Sequence, residues 1–278
     1  MRRHVGLLLS ITIAAAAGCG TDTGTTTMTS RALPQLSDVD SAAWARLAQR
    51  RIFFGHQSVG QNIMDGVADV LASHRGIPLR VVETKAAGAM SLPGFYHAKI
   101  GRNEFPQEKE AEFAAIVDSA FADAPGVAML KFCYLDVWAD TDPQALFDRY
   151  ERTAAELRAR HAGLTLVHVT LPLTTSESGL RYLAKKLLGR STTRDVNAVR
   201  TRYNALLRAA YEGRAPVFDL AALESTLPDG SRSFTMRGRD TAYTLAAGYT
   251  DDGGHLNEAA RRRVAEQLLV LLARLPGS

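Results

Sequence analysis

The chain has 278 residues, 46% of them hydrophobic and 22% charged, with a formal net charge of +4. That apolar content supports a packed core and excludes a wholly disordered chain. Arg2 and Arg3 lie in the leader; without them the charge is +2, and no aromatic and basic interleaving of the single-strand-binding kind follows, so no nucleic-acid partner is expected.

Met1-Arg2-Arg3-His4 is a basic start, and Val5 to Ala17 is apolar or small. That run is too short to span a membrane as a helix. It ends in Ala16-Ala17-Gly18-Cys19, and the order of basic, apolar and small residues is that of a secretory leader. A cysteine directly after small residues resembles the bacterial lipobox. Residues 1–18 are therefore expected to be a lipoprotein signal peptide and Cys19 the lipidation site. The alternative is an ordinary signal peptide with an incidental cysteine. Residues 19–33 are rich in Thr, Gly and Ser and read as a flexible tether. The expected location is the cell envelope, outer membrane or cell surface, held by the anchor. Residues 34–278 fit one domain. With Cys19 in the anchor, Cys133 is the one remaining cysteine, so no intrachain disulfide is expected in that domain.

Helical and strand patterns then alternate. Asp40 to Arg50 predicts a short helix, and Arg51-Ile52-Phe53-Phe54 a buried strand ending at Gly55. Val59, Ile63, Val67 and Val70 recur at helical spacing. Leu79 to Glu83 predicts a strand, Glu108 to Phe121 a helix and Gly126 to Phe132 a strand. Asp142 and Pro143 fit the cap and first position of the next helix. Leu164 to Leu171 is a strand stopped by Pro172; Arg194 to Tyr211 is helical; Pro216 to Leu220 is a last strand. Ser91 to Gln107 and Thr174 to Arg194 read as long connections able to line a pocket, and Ser231 to Tyr249 as a loop or short hairpin. A final helix runs from Asn257 to about Leu275. Strands separated by helices of this length predict a three-layer α/β/α sandwich around a parallel, flavodoxin-like sheet. Ligands in such sheets bind beyond the carboxyl ends of the strands.

Two strand-end features carry chemistry. Asp252-Gly253-Gly254-His255 joins a carboxylate and an imidazole through two glycines, the acid and base of a serine nucleophile system. Gly55-His56-Gln57-Ser58 leads from a strand into a helix, where free N–H groups favour developing negative charge. A serine there is placed as a nucleophile; the plainer reading is a helix cap. Gly88 lies in the small-residue loop Lys85 to Met90, where a backbone N–H can approach a substrate.

Together these blocks resemble the SGNH, or GDSL-like, hydrolase superfamily over about residues 50 to 275. The resemblance implies Ser58 as nucleophile, His255 as base and Asp252 as the acid that orients it. It implies oxyanion donors from Ser58 and Gly88. Two departures stand out. The Gly-Asp-Ser block has an extra residue and no aspartate, and Cys133-Tyr134-Leu135-Asp136 replaces Gly-x-Asn-Asp. A missing oxyanion donor costs about 2.7–4 kcal/mol, so Asn62 or Gln57 is expected to substitute. His56 is a candidate substrate or structural contact and Lys131 a candidate substrate contact, with a structural pair between Lys131 and Asp136 as the alternative. Cys133 and His168 read as packed, His74, His97 and His161 as surface or loop residues, and Arg190 to Arg202 as a solvated face. The expected activity is hydrolysis of a small-molecule or glycan ester, without metal or organic cofactor. Alternatives are O-acyl transfer by the same residues, or a silent binding lipoprotein.

Overall fold

A computed structural model describes residues 23–27, 33–122, 124–177 and 179–276. The leader, Cys19 and most of the expected tether lie outside the described residues. One part of that tether is structured: β1 (Thr23–Thr27) pairs antiparallel with the later strand Ser231–Arg237. Its threonines are β-branched and suit extended backbone.

From residue 33 onward the elements are α1 (Ser41–Ala48), β2 (Arg51–His56), α2 (Ser58–Ser73), β3 (Val81–Glu83), β4 (Gly94–Lys99), α3 (Pro106–Ala120) and β5 (Gly126–Leu130). There follow α4 (Pro143–Arg160), β6 (Leu164–Val169), α5 (Gly179–Leu187), α6 (Thr193–Tyr211), β7 (Val217–Phe218), α7 (Leu220–Ser225), β8 (Ser231–Arg237), β9 (Asp240–Tyr243) and α8 (Glu258–Arg274). Six strands form one parallel sheet in the order β3-β4-β2-β5-β6-β7. The remaining three, β1-β8-β9, form a small antiparallel sheet.

Both faces of the parallel sheet are buried, which explains why its strands read as apolar runs without alternation. Ile52 and Phe54 of β2 pack with α1, α2, α7 and α8 on one side. Phe53 faces α3, α4 and α6 on the other. The three-layer α/β/α sandwich is thus as expected. The strand that the sequence pattern misses is β4, which was assigned to a connection. It is short and buried on both faces, so it lacks the period-two signal of a half-exposed strand. The segment 174–194 likewise contains α5, and the 231–249 segment is the β8–β9 hairpin.

Two glycines set how the helices meet the sheet. A Cβ on Gly66 of α2 would collide with the Arg261 carbonyl of α8. Glycine therefore lets the two helix backbones approach closely, and Asp69 and Arg261 add an ion pair across the seam, N···O 2.8 Å. A Cβ on Gly60 would collide with the His56 side chain, so glycine lets the first turn of α2 lie over the end of β2.

Candidate active site

The sheet order reverses direction at β2, with β4 on one side and β5 on the other. The crevice at their carboxyl ends is where a parallel sheet of this kind binds ligands. Ser58 follows β2 and Tyr134 follows β5, so the two flank that crevice. Ser58 is not the cap of α2. Gln57 occupies the cap position and makes no side-chain cap bond, leaving the first-turn N–H groups of α2 without helical partners. The serine hydroxyl is therefore not committed to capping.

The Asp252–His255 turn organises itself. Asp252 Oδ1 accepts from the Gly254 and His255 N–H groups at 2.9 and 2.8 Å, and Oδ2 meets His255 Nδ1 at 2.6 Å. Gly253 has φ +89, a left-handed conformation that favours glycine. Its carbonyl accepts from the Thr175 N–H at 2.9 Å, tying the turn to the connection after β6. A carboxylate only accepts, so Nδ1 carries the proton and Nε2 is left as acceptor. The N–H groups of His255 and Gly254 and the His255 ring hold the Asp252 carboxyl far below the ordinary range, keeping it ionised.

The packing of α2 on α8 brings the two halves to one end of the sheet. Gly66 lies against Arg261 and Ala265. Ser58 opens α2, and His255 stands three residues before the first residue of α8. No hydrogen bond joins the two side chains among the described residues. Tyr134 stands edge-on to the His255 ring with centroids 5.7 Å apart. A Cβ on Gly254 would lie 3.2 Å from the Tyr134 hydroxyl, so that hydroxyl abuts the acid–base turn. Sequence reasoning missed it, although it stands one position before the missing asparagine.

Of the proposed oxyanion donors, Gly88 is displaced by the missed strand. In a flavodoxin-like order the strand beside the first is the second, which here is β4; β3 lies one strand further out. Gly88 sits in the short 3-10 turn Ala87–Ser91 after β3. The glycine following β4 is Gly101, whose N–H already donates to Glu112 Oε2 at 2.6 Å. Gln57 is also committed: its amide nitrogen donates to the Ile100 and Gly101 carbonyls, both at 2.7 Å. The Asn62 Oδ1 is buried without a partner, but that atom accepts, so a donor role would fall to its amide nitrogen.

The two candidate substrate contacts are structural. His56 is fully buried; its Nδ1 meets the Gln57 carbonyl at 2.9 Å and its Nε2 meets His97 Nδ1 at 3.0 Å. Burial lowers its pKa to about 3, so the ring is neutral. His97, expected at the surface, is its buried partner on β4. Lys131 is also fully buried and donates to the Phe132 carbonyl at 3.0 Å. Asp136 does not pair with it. Both Asp136 oxygens bind Lys109 Nζ at 2.6 Å, and the carboxylate also accepts from the Glu104 and Cys133 N–H groups. Burial depresses the Lys131 pKa and raises that of Glu224, with each charge partly offsetting the shift of the other. Cys133 is buried and free.

A cavity of about 610 Å³ opens beside the Asp252–Gly254 turn. Tyr134 and Trp138 line one side; Thr174, Thr175, Ser176 and Thr192 supply hydroxyls; Glu177, Lys185 and Arg200 supply charge. Arg200, expected on a solvated face, is buried instead. It donates to Thr174 Oγ1 at 2.9 Å and to the Tyr134 carbonyl at 2.7 Å, clamping the loops after β5 and β6 together. Burial lowers its pKa to about 10, which leaves it charged at neutral pH. Among the described residues no group of three or more His, Cys, Asp or Glu side chains is arranged to hold a metal ion.

No protein-family model and no curated protein matches the sequence. Solved structures do. The chain is similar to a protein assigned as a GDSL-like lipase from Parabacteroides merdae, with TM-score 0.50 and 11% identity over 81% of this chain and 95% of that one. It also matches a protein assigned as a platelet activating factor from Streptococcus pneumonia, with TM-score 0.46 and 12% identity over 85% and 94% of the two chains. A third match is the lipopolysaccharide acetyltransferase periplasmic domain of Salmonella ser. Paratyphi A, with TM-score 0.43 and 11% identity over 85% and 88%. At such identities the likeness is one of fold. The class it defines is the α/β fold of SGNH, or GDSL-like, hydrolases, with its six-stranded parallel sheet between helical layers.

Proposed function

We propose that the chain is a serine esterase. Ser58 Oγ attacks an ester carbonyl while His255 Nε2 takes its proton, and Asp252 holds Nδ1–H and stabilises the imidazolium. The first-turn N–H groups of α2 stabilise the oxyanion, with Asn62 or the Tyr134 hydroxyl as a further donor. The imidazolium returns its proton to the departing alcohol, and water, activated by the same histidine, releases the acid. The observation that carries this reading is the Asp252–His255 couple at 2.6 Å; Ser58, at the start of α2, caps nothing.

The adjoining cavity, with two aromatic side chains and several hydroxyls, fits a hydroxylated leaving group such as a carbohydrate of the cell envelope. Export with a lipid anchor at Cys19 is part of the same proposal. A mature chain without lipid, starting elsewhere than Cys19, would refute the anchor.

A serine-directed fluorophosphonate probe tests the chemistry. Labelling of the wild type and not of Ser58→Ala is expected, together with turnover of a short-chain ester. With neither labelling nor turnover, the enzyme reading fails and a silent binding protein remains. Acyl transfer to an added sugar in place of water would identify an acyltransferase built on the same residues.

A further inference from the structure

An amphipathic helix of a folded domain ordinarily turns its apolar stripe inward. Helix α5 does the reverse. Leu183 and Leu187 share one face at i, i+4 spacing, and they are 48% and 87% exposed. Leu188, in the turn that ends the helix, is 68% exposed. The other side of the helix faces the protein. Lys185 pairs with Glu177 and lines the cavity beside the Asp252 turn, and the Arg194 guanidinium lies 4.1 Å from the Tyr182 ring centroid. Gly189, at φ +64, ends the helix and the Arg190 N–H bonds back to the Lys185 carbonyl at 2.9 Å, so the leucine pair is held by a formed helix end.

Charge indicates what covers such a stripe. Residues 177–195 contain five basic residues, Arg181, Lys185, Lys186, Arg190 and Arg194, against two acidic ones, Glu177, which pairs with Lys185, and Asp195. Leucines facing outward and cations in the same segment are the composition of a helix that lies in a bilayer interface. No helix among the described residues is long and apolar enough to cross a membrane, so the contact is peripheral.

We propose that α5 docks on an anionic phospholipid surface. Burial of the leucines supplies the apolar part of the attraction, and the basic residues select anionic headgroups. This docking does not depend on Ser58 being a nucleophile, so its failure and that of the esterase reading are separable.

The test uses the full chain carrying Cys19→Ser, with an environment-sensitive fluorophore on Leu187→Cys; Cys133 is buried. A second probe at Ala68→Cys, on an exposed position of α2, serves as the reference. Vesicles of phosphatidylglycerol and phosphatidylcholine should shift the emission at position 187 to the blue and leave position 68 unchanged. Leu183→Ser and Leu188→Ser should each weaken the apparent affinity on the order of tenfold. Arg181→Gln and Lys186→Gln should weaken it about fivefold each. The proposal is overturned if position 187 does not respond, or if it responds equally to phosphatidylcholine alone. A blue shift that grows with protein concentration in the absence of vesicles also overturns it, since a second copy of the chain then covers the stripe.

Discussion

Replacing Asp252 with Asn isolates the orienting role of the carboxylate. Asparagine has nearly the same shape, and its oxygen can still accept from the Gly254 and His255 N–H groups that Oδ1 accepts from now. What changes is the atom facing His255 Nδ1, now a carboxylate oxygen at 2.6 Å. An amide nitrogen there donates, so Nδ1 must become the acceptor and the ring proton moves to Nε2. The nitrogen that should take the proton of Ser58 then already carries one. Loss of the correct tautomer and of imidazolium stabilisation should lower kcat by about 10³ to 10⁴, or about 4–5.5 kcal/mol of barrier. Stability should barely change, because the Asp252 side chain is 57% exposed. The assay is p-nitrophenyl acetate hydrolysis, with the fluorophosphonate labelling rate measured in parallel and the thermal midpoint as control. A variant that keeps more than a tenth of the wild-type rate would refute the assignment of Asp252.

If its hydroxyl is the donor that replaces the missing asparagine, Tyr134→Phe should lower kcat about 10²-fold with KM unchanged; an unaltered kcat would move that role to Asn62. Lys109→Met leaves the Asp136 carboxylate buried without its amine, and should cost about 3–5 kcal/mol in urea denaturation; a loss under 1 kcal/mol would mean that the loop after β5 does not depend on this pair. Stability should also fall with acid, because burial lowers His56 and His168 to about 3 from an ordinary 6.5. The unfolded chain takes up protons at both as pH drops through 6.5 and the folded chain does not. The stabilisation is therefore complete above 6.5 and is withdrawn towards pH 3, at about 1.4 kcal/mol per pH unit and histidine. The urea midpoint should be lower at pH 5 than at pH 7, and the dependence weaker in His168→Gln; a midpoint flat across that range would contradict the burial argument.

The central layers of the fold were legible because apolar periodicity is a local property. Val59, Ile63 and Val67 mark the buried side of α2 on spacing alone, and Asp142 with Pro143 marks the start of α4. The Asp252–His255 turn was legible for the same reason, since acid, base and both glycines lie within four residues and bond to one another. The fate of His56, Gln57 and Lys131 was not. His56 and Gln57 are satisfied by partners on or just after β4, the strand without a period-two signal. Lys131 lost Asp136 to Lys109, which is helical in sequence pattern and gives no sign of being wholly buried.

One unread strand therefore changes the surroundings of several residues near the site. Taking β3 as the neighbour of β2 moved the second glycine from Gly101 to Gly88. Without β4 the sequence shows no partner for His56, a candidate substrate or structural contact, or for Gln57, a candidate oxyanion donor. With β4 in place, the His56 side chain ties the end of β2 to His97 of β4 and that of Gln57 ties it to the Ile100–Gly101 loop, and this sets the path of the chain into Ser58. The extra residue between Gly55 and Ser58 then has a structural account. His56 turns into the protein to meet His97, Gln57 reaches sideways to the loop, and Gly60 leaves room for the imidazole under the helix. The departure from a Gly-Asp-Ser block is thus a different way of fixing the same strand-to-helix turn. On the side facing β5, Tyr134 stands in the block Cys133 to Asp136 that replaces the expected asparagine block, and Arg200 of α6 holds its carbonyl.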